Sequence, residues 1–245
     1  MKAESNIHQL VTDRIEEIPE GIIFDYNSFE VLPSGELSLA KALSRLALQG
    51  SIVRLSKGKY YKPKESLFGM LKPAEDEIVK SLTYKGDKVV GYLTGGALYN
   101  RMALTTQVPN VLIVATNTVL PPKKVGQYRV KYSKRTVEIT EETIPLLRVL
   151  DALMDIKLIS DAEVNQSLTV LIAMIKKLSR SQQQQMIALA GSYNAASRAL
   201  LGAIAEAYLP GLDVRTLKES LNVFSKYKIG ASKKILPNAA NWYIV

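Results

Sequence analysis

Seven basic side chains, Lys41, Arg45, Arg54, Lys57, Lys59, Lys62 and Lys64, fall within residues 37–64, a stretch that holds no Asp or Glu. Ammonium and guanidinium groups at that density neutralise phosphates, and a polyanionic duplex is the commonest partner of such a surface. The charge is local. Residues 1–36 carry two basic and eight acidic side chains, 37–64 seven and none, 65–138 eleven and six, and 139–245 twelve and nine. Ordinary solvated helices mix signs to gain i,i+4 pairs. An acidic segment running into a wholly basic one therefore marks a surface directed at nucleic acid or at an acidic protein.

A second candidate is Gly95-Gly96, where a strand is expected to turn into a helix. Such a pair can cradle a phosphate, and a Gly-Gly followed by Ala97-Leu98 resembles the opening of nucleotidyltransferase active sites. That chemistry needs paired carboxylates on a following strand to hold magnesium against a triphosphate. Residues 88–137 contain no Asp or Glu, but eight Lys and Arg. A two-metal transferase cannot be assembled from them, so the pair reads as a structural turn, and the segment as a basic surface for an acidic partner or for more DNA. His8 is the only histidine and cysteine is absent, which removes imidazole triads, zinc sites and disulfides. No catalytic residue, metal or cofactor is expected, and the chain reads as a non-enzyme.

The elements that must position these groups follow from periodicity. Ile7, Leu10, Val11, Ile15 and Ile18 recur at helical spacing after Ser5 or Asn6, either of which caps a first turn, and Pro19 with Gly21 ends the run. Ile22-Ile23-Phe24 is extended. Asp25 is placed to cap a brief second helix reaching about residue 31, with Leu32-Pro33-Ser34-Gly35 as the next turn. Leu39, Leu43, Leu46 and Ala47 stripe a third helix closed by Gly50, while Ser38, Lys41, Ser44 and Arg45 share another face. Ile52-Val53-Arg54-Leu55 and Lys59-Tyr60-Tyr61 form a hairpin through Ser56-Lys57-Gly58. Three helices and a hairpin predict a winged helix-turn-helix over residues 1–65, its third helix in the major groove and its wing on adjacent backbone. Ser38, Lys41, Ser44, Arg45, Arg54, Lys57 and Lys59 are the expected DNA contacts, with Tyr60 and Tyr61 packing inward.

Residues 63–73 read as a junction, with a boundary near Ser66 dividing off a second domain over 66–245. Within it, 66–140 is expected to be an α/β unit: a helix opening on Glu75-Asp76-Glu77, strands near 89–93, 111–116 and 128–132, and a short helix over 97–102. Residues 141–245 are expected to be mainly helical, with one helix beginning at Ser160-Asp161, others over 182–190 and 195–208, and Trp242 as a core plug. Ala199, Gly202, Ala203 and Ala205 suit close helix packing. The fold class is α+β. At 245 residues and 47% hydrophobic content the chain can bury cores for two domains. It has no apolar run near the ~18–20 residues of a membrane span, and its first residues lack the order of a signal peptide, so a cytoplasmic protein is expected.

Several blocks are recognisable together. Ala42-Leu43-Ser44-Arg45-Leu46, Gly50, Arg54-Leu55, Lys57-Gly58 and Tyr60-Tyr61-Lys62-Pro63 resemble the winged-helix signature of AbiEi-type antitoxin regulators of type IV toxin–antitoxin systems. Gly91-Tyr92, Thr94-Gly95, Leu98-Tyr99-Asn100-Arg101, Leu104-Thr105-Thr106-Gln107-Val108-Pro109 and Ala115-Thr116-Asn117 are similar to the central segment of that group. The likeness continues in Arg198-Ala199-Leu200-Leu201-Gly202-Ala203, Ser220-Leu221-Asn222, Tyr227-Lys228-Ile229-Gly230, and Leu236-Pro237-Asn238 before Trp242. It implies a bacterial repressor from a toxin–antitoxin or phage-defence operon that binds double-stranded DNA at its own promoter and opposes a nucleotidyltransferase-like toxin. Tyr99, Asn100, Arg101, Gln107, Lys123, Lys124, Arg129 and Lys131 form the candidate partner-binding set. The alternative is a protein-interaction module without DNA affinity that clasps an acidic partner through this basic central region.

Overall fold

Val11 and Ile15 on one helix and Leu39, Ala42, Leu43 and Leu46 on another lie at helical spacing, and they meet in a single core with Phe24, Phe29, Ile52 and Tyr60. The computed structural model describes residues 2–29, 36–67 and 69–245, with their side chains except those of residues 2–6 and 36. The helices are α1 (Lys2–Glu17) and α2 (Glu36–Leu48). The strands β1 (Ile23–Asp25), β2 (Val53–Ser56) and β3 (Lys59–Tyr61) form an antiparallel sheet in the order β1-β3-β2. Gly58, at φ +74°, makes the tight β2–β3 connection, a conformation open to glycine because it has no Cβ. Phe24 meets Phe29 edge-on at 5.9 Å and stacks on Tyr60 at 6.2 Å.

Two local expectations are corrected here. The first helix begins at Lys2 rather than after a cap at Ser5 or Asn6, since Ala3 and Glu4 are good helix formers and carry the helix through two weaker ones. Asp25 opens a 3-10 turn over the described residues Tyr26–Phe29, with its Oδ1 accepting from the Asn27 amide at 2.9 Å, and the expected end of that helix, residues 30 and 31, lies outside the described residues. A side chain that satisfies an amide two residues on makes a turn as readily as a helix. The turn expected at Leu32-Pro33-Ser34-Gly35 lies outside the described residues.

Strands β4 (Lys64–Ser66) and β5 (Gly69–Leu71) pair as a hairpin, α3 (Glu75–Thr83) follows, and β6 (Tyr84–Lys85) pairs with β7 (Lys88–Val89). The chain divides into two compact units, the first holding Met1–Val90 and Lys123–Arg129, so the boundary expected near Ser66 falls inside it. The reason is α3. Glu77 Oε1 accepts from the Ile23 amide at 3.1 Å, and the Lys59 ammonium donates to the Ser81 carbonyl in the last turn, fastening α3 to β1 and β3. Ile78, Val79 and Leu82 are buried.

The second unit comprises Gly91–Pro122 and Val130–Val245. Strand β8 (Gly91–Thr94) leads into α4 (Gly96–Arg101), then β9 (Val111–Thr116) and, after β10 (Lys123–Val125) in the first unit, β11 (Tyr128–Lys134), whose residues from Val130 on belong to the second, with β9 between β8 and β11. Gly95 takes φ +70°, and a Cβ there would stand 2.7 Å from Ile113 Cδ1. The glycine pair is thus a close-packed strand-to-helix turn. Helices α5 (Ile144–Met154), α6 (Val164–Lys177), α7 (Arg180–Ala190), α8 (Ala195–Tyr208) and α9 (Arg215–Glu219) complete the unit, with α5 packed on α6, α7 and α8. Their core includes Leu146, Leu147, Leu150, Leu153, Leu168, Leu171 and Trp242. Helix α6 begins at Val164 rather than Ser160-Asp161, because Asp161 sits at φ +52°, outside helical space,. Helix α7 opens on a capping box in which Ser179 and Gln182 satisfy each other's amides,. The fold is mixed α and β, and no helix among the described residues is long and apolar enough to cross a membrane.

Candidate nucleic-acid interface

Helix α2 is divided lengthwise. Leu39, Ala42, Leu43 and Leu46 are buried, while Lys41, Ser44 and Arg45 are exposed and Ser38 is half-buried. Residues four apart lie on one helix face, so Lys41 and Arg45 present their cations side by side one turn apart. Arg54 on β2 and Lys57 in the glycine turn are exposed as well. Tyr60 and Tyr61, at 2% and 5% exposure, pack inward, and burial pushes both phenols up.

Lys59 leaves this set. It is half-buried and bonded to the Ser81 carbonyl, and burial lowers its pKa, with the nearby Asp25 carboxylate opposing. A lysine at the C-terminal end of α3 meets carbonyls that have no partner within the helix. It therefore joins β3 to α3 instead of pointing outward. Ser44 is shared, since its hydroxyl also interacts with the Tyr60 phenol.

The residues expected to face a partner divide between the two units. Lys123, Lys124 and Arg129 are exposed and belong to the first unit, whereas Tyr99, Asn100, Arg101, Gln107 and Lys131 belong to the second. Tyr99 is 3% exposed, and its hydroxyl donates to Asp155 Oδ2 at 2.6 Å, so it is a core brace and not a contact residue. Asn100 Nδ2 donates to the Thr105 carbonyl at 3.2 Å, Thr105 Oγ1 to the Ser160 carbonyl at 2.7 Å, and Gln107 Nε2 to Asp161 Oδ2 at 2.6 Å. These bonds pin the loop between α4 and β9 to the turn before α6. Arg101 and Lys131 are exposed.

Sequence reasoning missed the polar centre of the second unit. Asp151 on α5 is fully buried, and its Oδ2 accepts from Thr94 Oγ1 at 2.6 Å and Tyr92 Oη at 2.9 Å. Its Oδ1 accepts from Tyr193 Oη at 2.8 Å and Arg135 Nη2 at 3.0 Å. A buried carboxylate is tolerated only when paired and hydrogen-bonded, and here β8, the residue after β11 and the turn before α8 each supply a donor. Burial first, and then the negative charge of Asp151, raises the Tyr92 and Tyr193 phenols; burial and the bond to Asp155 raise Tyr99. With no exposure and all four donors protein side chains, Asp151 ties elements together. The signal was present in the chain: a single carboxylate among Leu147, Val149, Leu150, Ala152 and Leu153.

No curated protein matches this sequence. Among solved structures, the RV2827C protein from Mycobacterium tuberculosis is similar in fold, with a TM-score of 0.51 at 10% identity over 89% of this chain and 82% of that one. The model of DUF6088, a family of unknown function, matches residues 10–186, and the chain belongs to that family.

Proposed function

We propose that this protein is a winged-helix transcriptional repressor that binds its own promoter and serves as the antitoxin of a toxin–antitoxin or phage-defence operon. The observation that carries the DNA-binding part is the exposed row of Lys41 and Arg45 on α2, with Arg54 and Lys57 on the following hairpin, inside 28 residues free of carboxylates. The order α1, β1, a short turn, α2, β2, β3, with the sheet order β1-β3-β2, supports α2 as the groove-reading helix and β2–β3 as the wing. Opposition to a nucleotidyltransferase-like toxin, action in the bacterial cytoplasm and the lack of enzymatic activity rest on the resemblance to AbiEi-type regulators and on the absence of ordinary catalytic groups.

Binding to the promoter upstream of its own gene, followed across salt concentration, tests the first part. Each phosphate neutralised contributes about −0.9 to the log–log slope, so about five contacts give −4 to −5. Lys41→Ala and Arg45→Ala each weaken promoter binding by about 1–3 kcal/mol where they read bases. Variants that bind like the parent remove α2 as the reading helix, and a protein that retards no duplex leaves the acidic-partner alternative. For the antitoxin part, co-expression with the adjacent reading frame should restore growth that the neighbour alone arrests.

A further inference from the structure

The first unit contains seven residues that do not belong to it by sequence. The chain leaves that unit after Val90 and returns only for Lys123–Arg129, the tip of the β10–β11 hairpin. Resting on the DNA-binding reading above, we propose that this tip is a second wing, which holds the phosphate backbone beside the β2–β3 hairpin through Lys124 and Arg129.

The tip is fixed in place. The Gly126 amide donates to the Leu55 carbonyl on β2 at 3.4 Å, and Gly126 takes φ +56°, with a Cβ there only 3.0 Å from Leu55 Cδ1. On the other side Tyr128 Oη donates to Glu75 Oε2 at 3.1 Å, in the first turn of α3. Strand β2 is an edge of its sheet, and covering an edge protects it from stray pairing. Edge protection accounts for the backbone contact but not for the side chains. Lys123, Lys124 and Arg129 are all exposed on seven residues without a carboxylate. They also lie in the unit that already exposes Arg54 and Lys57.

Gathering like charges costs self-repulsion, which a bound polyanion relieves. Burial lowers the Lys59 ammonium's pKa, the Asp25 carboxylate opposes, and the field of Lys123 adds a smaller lowering, which places Lys123 near the β2–β3 hairpin. A duplex whose backbone passes both hairpins sets phosphates against Lys124 and Arg129 at regular spacing. An acidic protein would need carboxylates placed to match, and nothing in the tip, which has no apolar anchor exposed among its seven residues, favours a protein interface,.

The test uses the full chain carrying Lys124→Gln with Arg129→Gln, titrated by fluorescence anisotropy against the upstream promoter duplex and an unrelated duplex of equal length at several salt concentrations. The slope should fall in magnitude by about 2, and affinity near 0.1 M salt should drop on the order of tens-fold on both duplexes alike, because phosphate contacts carry no sequence information. The charge-conserving pair Lys124→Arg with Arg129→Lys should retain the slope of the parent. A parent slope in the glutamine variant overturns the second wing while leaving the α2 reading intact. A loss confined to the promoter duplex, or a loss in the charge-conserving pair, also overturns it. A parent protein that binds neither duplex removes the DNA reading itself; retention of the tip's cations by an acidic protein in that case would assign it to the other class of partner.

Discussion

The Arg135 guanidinium lies 3.0 Å from the Asp151 carboxylate, with the arginine side chain 14% exposed and the aspartate fully buried. Removing one partner of a buried ion pair leaves an uncompensated charge and costs about 3–5 kcal/mol. Asp151→Ala also strands Tyr92, Thr94 and Tyr193, so its cost belongs at or above the top of that range, with Arg135→Ala lower in it. Urea unfolding followed by circular dichroism measures both. Asp213→Ala, which breaks the exposed Arg215–Asp213 pair, is the control, since water screens that pair. Equal effects at Asp151 and Asp213 would contradict the role given to the buried network.

Alkaline titration reads the same network from its phenols. Tyr92, Tyr99 and Tyr193 have folded pKa values raised above the ordinary 10.0, through burial first and then neighbouring carboxylates. A raised folded value means their contribution is complete below the unfolded pKa and is lost as pH climbs past about 10. The three phenols should therefore ionise only as the protein unfolds. Tyr92→Phe and Tyr193→Phe should leave the phenolate absorbance before the alkaline transition unchanged, and a reduced pre-transition signal would show that these phenols titrate in the folded state.

Gly202 on α8 faces the indole of Trp242, and a Cβ at Gly202 would overlap the ring. Alanine is the better helix former by about 1 kcal/mol, whereas overpacking a filled core costs about 1–3 kcal/mol. The tertiary effect should win, so Gly202→Ala is expected to lower the melting temperature and alter the Trp242 emission. The indole Nε1 also donates to Glu206 Oε2 at 2.9 Å, and displacement of the ring breaks that bond as well. A more stable Gly202→Ala protein would refute the packing described.

What the chain determined by itself was local. The apolar steps of Leu39, Leu43 and Leu46, and of Leu168, Leu171 and Ile175, place α2 and α6 because side chains three and four apart share a helix face. Gly58 places the β2–β3 turn because few other residues adopt a positive φ. The carboxylate-free stretch around Lys41 and Arg45 is plain in the residue order, and the exposed face of α2 carries it. The tertiary structure alone decided which cations are available and where each unit ends. Lys59 looks like its neighbours in sequence until α3 brings the Ser81 carbonyl beneath it. Lys124 and Arg129 join the first unit only because Gly126 and Tyr128 meet Leu55 and Glu75. Asp151 becomes a hub only when Tyr92, 59 residues earlier, and Tyr193, 42 residues later, close on it. Periodicity and turn chemistry act across a few residues, whereas burial and charge pairing are settled by whatever the fold brings together.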